Sequence, residues 1–130
     1  MNSVELTRLI AKLADDKKAV DPVALDMREL VGYTDFILVV TATNDRQAQA
    51  IHDEVYERLK KDHGRLPVRS EGARGSGWVL LDYLDTIFHI FTPETRDRYR
   101  LEQLWGEAER LDLQLPDPVT GSAGSDSDAA

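Results

Sequence analysis

Apolar residues open the chain at the spacing of one helical face: Val4, Leu6, Leu9, Ile10, Leu13 and Ala14. Asn2 followed by Glu5 matches a capping box, so a helix is predicted from there to about Lys18. Asp21 and Pro22 break it, and Val23, Leu25 and Met27 then alternate with Ala24 and Asp26 as in a strand. After a turn through Gly32, residues Phe36 to Val40 are continuously apolar and rich in β-branched side chains. A strand of that kind is buried on both faces, which places it at the centre of a sheet. Asn44 with Gln47 caps a second helix, whose inner face is Ala48, Ile51, Val55 and Leu59, and His63-Gly64 ends it.

Leu66 to Ser70 reads as a short strand, and its Pro67 suits an edge position or a strand start. Glu71 to Gly77 carries three glycines and is a loop. Trp78 to Asp82 and Thr86 to Phe91 predict two strands joined as a hairpin through Tyr83-Leu84-Asp85. Thr92-Pro93-Glu94 combines a hydroxyl cap, a proline at the first helical position and an acid at the positive dipole end. Leu101, Leu104, Trp105, Ala108 and Leu111 continue at helical spacing, so one last helix is predicted up to the Pro116 stop. The predicted order is α-β-β-α-β-β-β-α. That order describes an α/β domain with a compact mixed β-sheet and flanking helices.

Composition narrows the readings. The chain has 130 residues, enough for one domain that buries about two-thirds of its unfolded surface. Its net charge of −8 argues against wrapping a nucleic-acid backbone by bulk charge and fits a basic protein partner better. Half of that charge falls on Asp112, Asp117, Asp126 and Asp128, in a segment without Lys or Arg. The expected organisation is therefore a folded domain over 1–111 and an acidic, Gly/Ser/Asp-rich, disordered tail over 112–130. Without cysteine there is no disulfide framework and no thiolate site. No apolar run approaches the ~20 residues of a membrane span, and the first residues lack signal-peptide features, so the expected location is cytoplasmic.

Candidate chemistry is sparse. His52, His63 and His89 have no second ligand at metal-binding spacing and read as structural or solvated histidines. Gly75-Ser76-Gly77 lacks the spacing of a nucleophile elbow, and its loop joins two strands instead of opening a helix that would cradle phosphate. A two-metal nucleotidyl transferase needs acids at i and i+2 on one strand, and the position two after Asp35 is Ile37. No catalytic residue, metal site or cofactor is therefore expected, and the chain does not read as an enzyme. The C-terminal third is different. Both tryptophans, two of the four tyrosines and Arg96, Arg98 and Arg100 fall between 78 and 105. Trp, Tyr and Arg dominate interface hot spots, whereas the inner face of a helix does not require an arginine cluster.

Thr34-Asp35-Phe36 with Thr41-Ala42-Thr43-Asn44, then Glu71-Gly72, Trp78 to Asp82 and His89-Ile90-Phe91, occur in the order of the Iojap, or ribosomal silencing factor, family. Glu94-x-Arg96-x-x-Tyr99-x-Leu101-Glu102-x-Leu104-Trp105 closes the signature. Over about residues 3–106 the chain resembles that family. The resemblance implies a nucleotidyltransferase-like fold without the catalytic carboxylates, in agreement with Ile37. It implies binding to the large ribosomal subunit, chiefly to the fourteenth protein in the standard large-subunit nomenclature, at the subunit-joining face. Docked there, such a factor sterically blocks the small subunit and represses translation under nutrient limitation. It also implies a homodimer in the free state, through a surface that overlaps the ribosome-binding one.

Carried onto this chain, the partner-binding residues are Trp78, Asp82 and Tyr83 on the sheet, with Arg96, Tyr99, Leu101, Glu102 and Trp105 on the last helix. Trp78 and Tyr99 are expected as desolvated anchors, and Asp82 and Glu102 as acids meeting Lys or Arg of the partner. Arg96 is expected to clamp an internal carboxylate, and Leu101 and Trp105 are candidates for purely structural packing. Two other readings stay open: a nucleotidyltransferase-like enzyme, opposed by Ile37, and a small-ligand or RNA-binding module. Net charge and the lack of an aromatic RNA-binding signature oppose the RNA module, with room left for a minor rRNA contact.

Overall fold

A six-stranded sheet is organised around β2, Phe36–Thr41, every residue of which is buried. The computed structural model describes residues 1–72 and 75–116. The other strands are β1, Val20–Asp26; β3, Arg69–Glu71; β4, Trp78–Asp82; β5, Thr86–Phe91; and β6, Glu109–Arg110. The helices are α1, Ser3–Asp16; α2, Asp45–His63; α3, Pro93–Tyr99; and α4, Leu101–Leu104. Strand order is β3-β4-β5-β2-β1-β6. Only β2 and β5 run parallel, so the sheet is mixed as the sequence predicts.

Local chemistry fixes the helix ends. Asn2 Oδ1 accepts from Glu5 N at 2.8 Å while Glu5 Oε1 accepts from Asn2 N at 2.9 Å, the two halves of the capping box. Asn44 Oδ1 caps α2 through Gln47 N at 2.8 Å. Gly64, at φ +62°, closes α2: its N–H reaches Lys60 O and Arg65 N reaches Leu59 O. Both long helices lie on one face of the sheet. Leu6, Ile10 and Leu13 of α1 and Ile51, Val55 and Leu59 of α2 pack there on Leu38, Val40, Leu81, Phe88 and Ile90. A buried hydroxyl pair, Thr7 Oγ1 and Thr86 Oγ1 at 2.7 Å, fastens α1 to β5.

The last quarter of the chain corrects the sequence reading. Instead of one helix to Pro116, α3 ends at Arg100, which adopts the left-handed conformation (φ +49°, ψ +49°). One turn of α4 follows, and the chain then returns as β6 beside β1, pairing Leu25 with Arg110 and Asp26 with Glu109. The break lets Leu101, Trp105 and Ala108 fold onto Leu25, Met27, Ile37, Val39 and Phe91, while Leu104 is left 67% exposed. Beyond β6, Leu111, Leu113 and Leu115 pack on the helical-face core, Leu113 the most deeply of the three. Arg8 Nε donates to Asp112 O at 2.9 Å in the same segment. The acidic tail expected from 112 thus starts within packed chain as far as Leu115. Its remainder, 117–130, lies outside the described residues, as do 73 and 74 of the glycine loop.

Candidate functional site

The two faces of the sheet are finished differently. Opposite the long helices, five buried residues (Leu25, Met27, Ile37, Val39 and Phe91) are covered only by half-buried side chains, among them Trp78, Leu101 and Trp105. Strand alternation puts Trp78, Leu80 and Asp82 of β4 on this face beside Ile87, His89 and Phe91 of β5. Tyr99, 49% exposed at the end of α3, stands over Trp78 and Phe91 with both ring centroids 5.7 Å away.

Trp78 is held from several directions. The backbone before it is pinned to the start of α3, since Thr92 N donates to Gly77 O at 3.0 Å and Thr95 Oγ1 donates to the same carbonyl. Gly77 has φ +75°, and a Cβ there would lie 2.8 Å from Thr95 Cγ2 and 2.9 Å from Thr92 Oγ1, so only glycine permits that approach. The indole Nε1 donates to His89 Nδ1 at 3.0 Å. Burial, with help from Arg69 and against the opposing pull of Asp82, lowers the His89 pKa to about 4, so the ring is neutral at physiological pH.

A second constellation supports the face from its far end. Arg96 Nη2 donates to Glu102 Oε2 at 2.8 Å, and Nη1 donates to Asp21 O at 2.6 Å and Thr41 Oγ1 at 2.7 Å. Both side chains of the pair are largely withdrawn from water. Burial alone would raise the Glu102 carboxyl, but the Arg96 guanidinium outweighs it and holds the carboxyl below its ordinary value. The expected internal clamp by Arg96 is present, and Glu102 is the carboxylate it clamps. Glu102 therefore faces Arg96 and not a partner's cation.

The remaining candidates separate clearly. Asp82 lies 3.6 Å from Arg69 and accepts from Leu84 N at 2.8 Å, so its carboxylate is engaged within the chain. Leu101 and Trp105 are half-buried against the second core and form its rim, on the short α4 and just past it. Tyr83 does not belong to the face. It projects into the helical-side core at 2% exposure, where burial pushes its phenol pKa up and its hydroxyl has no partner among the described residues. A buried ring has no surface to offer a partner. The alternation that groups Trp78, Leu80 and Asp82 already sends Val79, Leu81 and Tyr83 the other way. His89 and Phe91 join the face without having been singled out as site residues. For His89 and Phe91 the same period-two spacing was the available signal.

Other chemistry is thin. Ile37 is buried in β2 where a second carboxylate would stand, and no group of three acids or histidines among the described residues is placed to hold a metal. A cleft of about 710 Å³ opens at the ends of β2 and β5, where Arg96, Arg100 and Arg110 are balanced by Asp21, Asp97 and Glu102. His52 links Asp53 (2.9 Å) and Ser70 (3.1 Å), tying α2 to the edge strand β3; Asp53 is exposed and next to His52 on the same helix. No helix among the described residues is long and apolar enough to cross a membrane.

The profile of the family described as "Ribosomal silencing factor during starvation" matches residues 1–130. A ribosomal silencing factor from Halalkalibacterium halodurans is 36% identical over 114 residues, covering 88% of this chain and 97% of the relative. The chloroplastic protein Iojap of Zea mays is 35% identical over 104 residues, covering 80% of this chain and 45% of that longer protein. A crystal structure of a protein from Chromobacterium violaceum superposes with a TM-score of 0.77 at 30% identity, covering 94% of this chain and all of that one.

Proposed function

The chain belongs to the ribosomal silencing factor family, and from that premise we propose that its aromatic face docks on the large ribosomal subunit and keeps the small subunit away. The observation that carries the reading is the half-covered second face, where Trp78 and exposed Tyr99 stand together over a small core. Amphipathic rings of this kind, held rigid and only partly solvated, give large contact area at little cost in side-chain entropy. Leu101 and Trp105, at the start of α4 and just past its end, extend the apolar area.

The partner is a basic protein of the large subunit at the surface where the subunits join, the fourteenth in the standard nomenclature. A chain of net charge −8 approaches such a protein down a favourable field, which raises the encounter rate. A murine relative, 28% identical, is named for mitochondrial assembly of the ribosomal large subunit, which supports that subunit as the target. Repression is then steric: an occupied joining surface excludes the small subunit, and no bond is made or broken. The protein acts in the cytoplasm, as its bacterial relatives suggest, and when free it pairs as a homodimer through a surface overlapping the docking one. Cosedimentation with isolated subunits tests the assignment. The protein should pellet with large subunits and stay in the supernatant with small ones; pelleting with neither refutes it.

A further inference from the structure

His89 and Trp78 sit diagonally across β4 and β5, since Trp78 is paired with Phe91 and His89 with Leu80. Their ring planes are 7° from parallel, their centroids 6.0 Å apart, and Nε1 and Nδ1 are 3.0 Å apart. Those three values together describe rings meeting edge to edge in nearly one plane, not one above the other. In that plane the Nδ1 lone pair of a neutral imidazole points at the indole N–H, so the imidazole proton resides on Nε2. The other aromatic neighbours of the indole are Phe91 and Tyr99, whose rings also pack on each other, so the hydrogen bond to His89 is the polar contact that fixes the indole N–H.

We infer that His89 is a positioning residue: by accepting the indole hydrogen bond it holds Trp78 in the plane that the docking partner meets. The inference rests on the docking reading above for its consequence, but not for the geometry of the lock. Protonation of Nδ1 would set two donors against each other and release the indole. The charged groups bearing on His89 are Arg69 from β3, which disfavours its protonation, and Asp82 from β4, which favours it. Arg69 and Asp82 are themselves 3.6 Å apart, so their effects on His89 oppose each other. From α3, Tyr99 contributes a neutral ring beside Trp78 and Phe91. The rigid orientation also limits what Trp78 must give up on binding. An indole already held in its bound rotamer loses less freedom than one that must be ordered by the partner.

The test uses His89→Phe, which keeps a planar ring but has no acceptor, and His89→Gln, whose amide oxygen can accept. Two readouts are taken from the whole protein: hydrogen exchange of the Trp78 indole proton by NMR, with Trp78→Phe identifying its peak, and affinity for isolated large subunits. His89→Phe should retain the wild-type amide spectrum outside the face. Its indole exchange should quicken by about 10-fold and its subunit affinity fall by about 10-fold, the scale of one lost hydrogen bond. His89→Gln should restore most of both. Unchanged indole exchange in a folded His89→Phe overturns the lock. Faster exchange with unaltered affinity overturns the role in docking. If the wild-type protein binds no subunit, the proposed function fails and the exchange measurement alone decides whether His89 positions Trp78.

Discussion

Arg96 and Glu102 meet at 2.8 Å across Arg100, the residue at which the chain leaves α3 in a left-handed conformation. The pair closes a bend that no glycine or proline marks, and it sets the direction in which α4 carries Leu101 and Trp105 back to the sheet. The same guanidinium holds the carbonyl of Asp21 and the hydroxyl of Thr41, so one side chain joins the start of β1, the end of β2 and both short helices.

Removing Arg96 should therefore unfasten α4. Arg96→Met leaves a half-buried carboxylate and two acceptors unserved, and is expected to cost about 2–3 kcal/mol in urea denaturation. Glu102→Gln, which can still accept a hydrogen bond, should cost less. The depressed Glu102 pKa means that this contribution is present above the carboxyl's ordinary value and disappears as pH falls through its folded one. Equal stability of Arg96→Met and wild type at neutral pH would show that packing alone holds the bend.

His89 predicts a second pH dependence. Its folded pKa of about 4 lies below the unfolded value of 6.5, so the unfolded chain binds the extra proton between those limits. Stability should then fall as pH drops from about 6.5 to about 4, by on the order of 3 kcal/mol from this group. Comparing denaturation midpoints of wild type and His89→Phe across that window isolates the contribution. Parallel curves would mean that His89 is not held neutral.

Tyr83 and Tyr99 should respond in opposite ways. Tyr83→Phe removes a buried hydroxyl with no partner, so stability should rise or stay level, within about 1 kcal/mol, and subunit binding should not change. Trp78→Ala and Tyr99→Ala should each weaken subunit binding by about 2 kcal/mol or more with the fold intact. Titration of isolated large subunits with the three variants separates the cases, and a binding loss in Tyr83→Phe would contradict its placement in the core.

Much of this architecture is legible in the sequence because its causes are local. The apolar run Phe36 to Val40 announces a central strand, and Asn2, Asn44 and Gly64 mark helix ends with side chains and backbone that act within one turn. The carboxylate expected for Arg96 is Glu102, six residues on in the same motif. What stays hidden depends on contacts distant in sequence or on a choice between two nearly equal patterns. Arg96 reaches Asp21 and Thr41 across 75 and 55 residues, and no local signal foretells that. Leu101, Leu104, Trp105, Ala108 and Leu111 fit one long helix by spacing, yet Leu111, Leu113 and Leu115 also fit a period of two, and burial on the sheet decides for the second. Tyr83 was readable from alternation alone. The role of His89 was not, because its partner lies diagonally across a hairpin whose register only the fold reveals.

Subunit reassociation followed by sucrose-gradient sedimentation tests the central claim most directly. Separated large and small subunits are mixed with a stoichiometric amount of the protein under conditions that otherwise yield full ribosomes. The docking account predicts that wild-type protein leaves the subunits apart and travels with the large one, while Trp78→Ala and Tyr99→Ala restore the full-ribosome peak. Complete reassociation in the presence of the wild-type protein would contradict it.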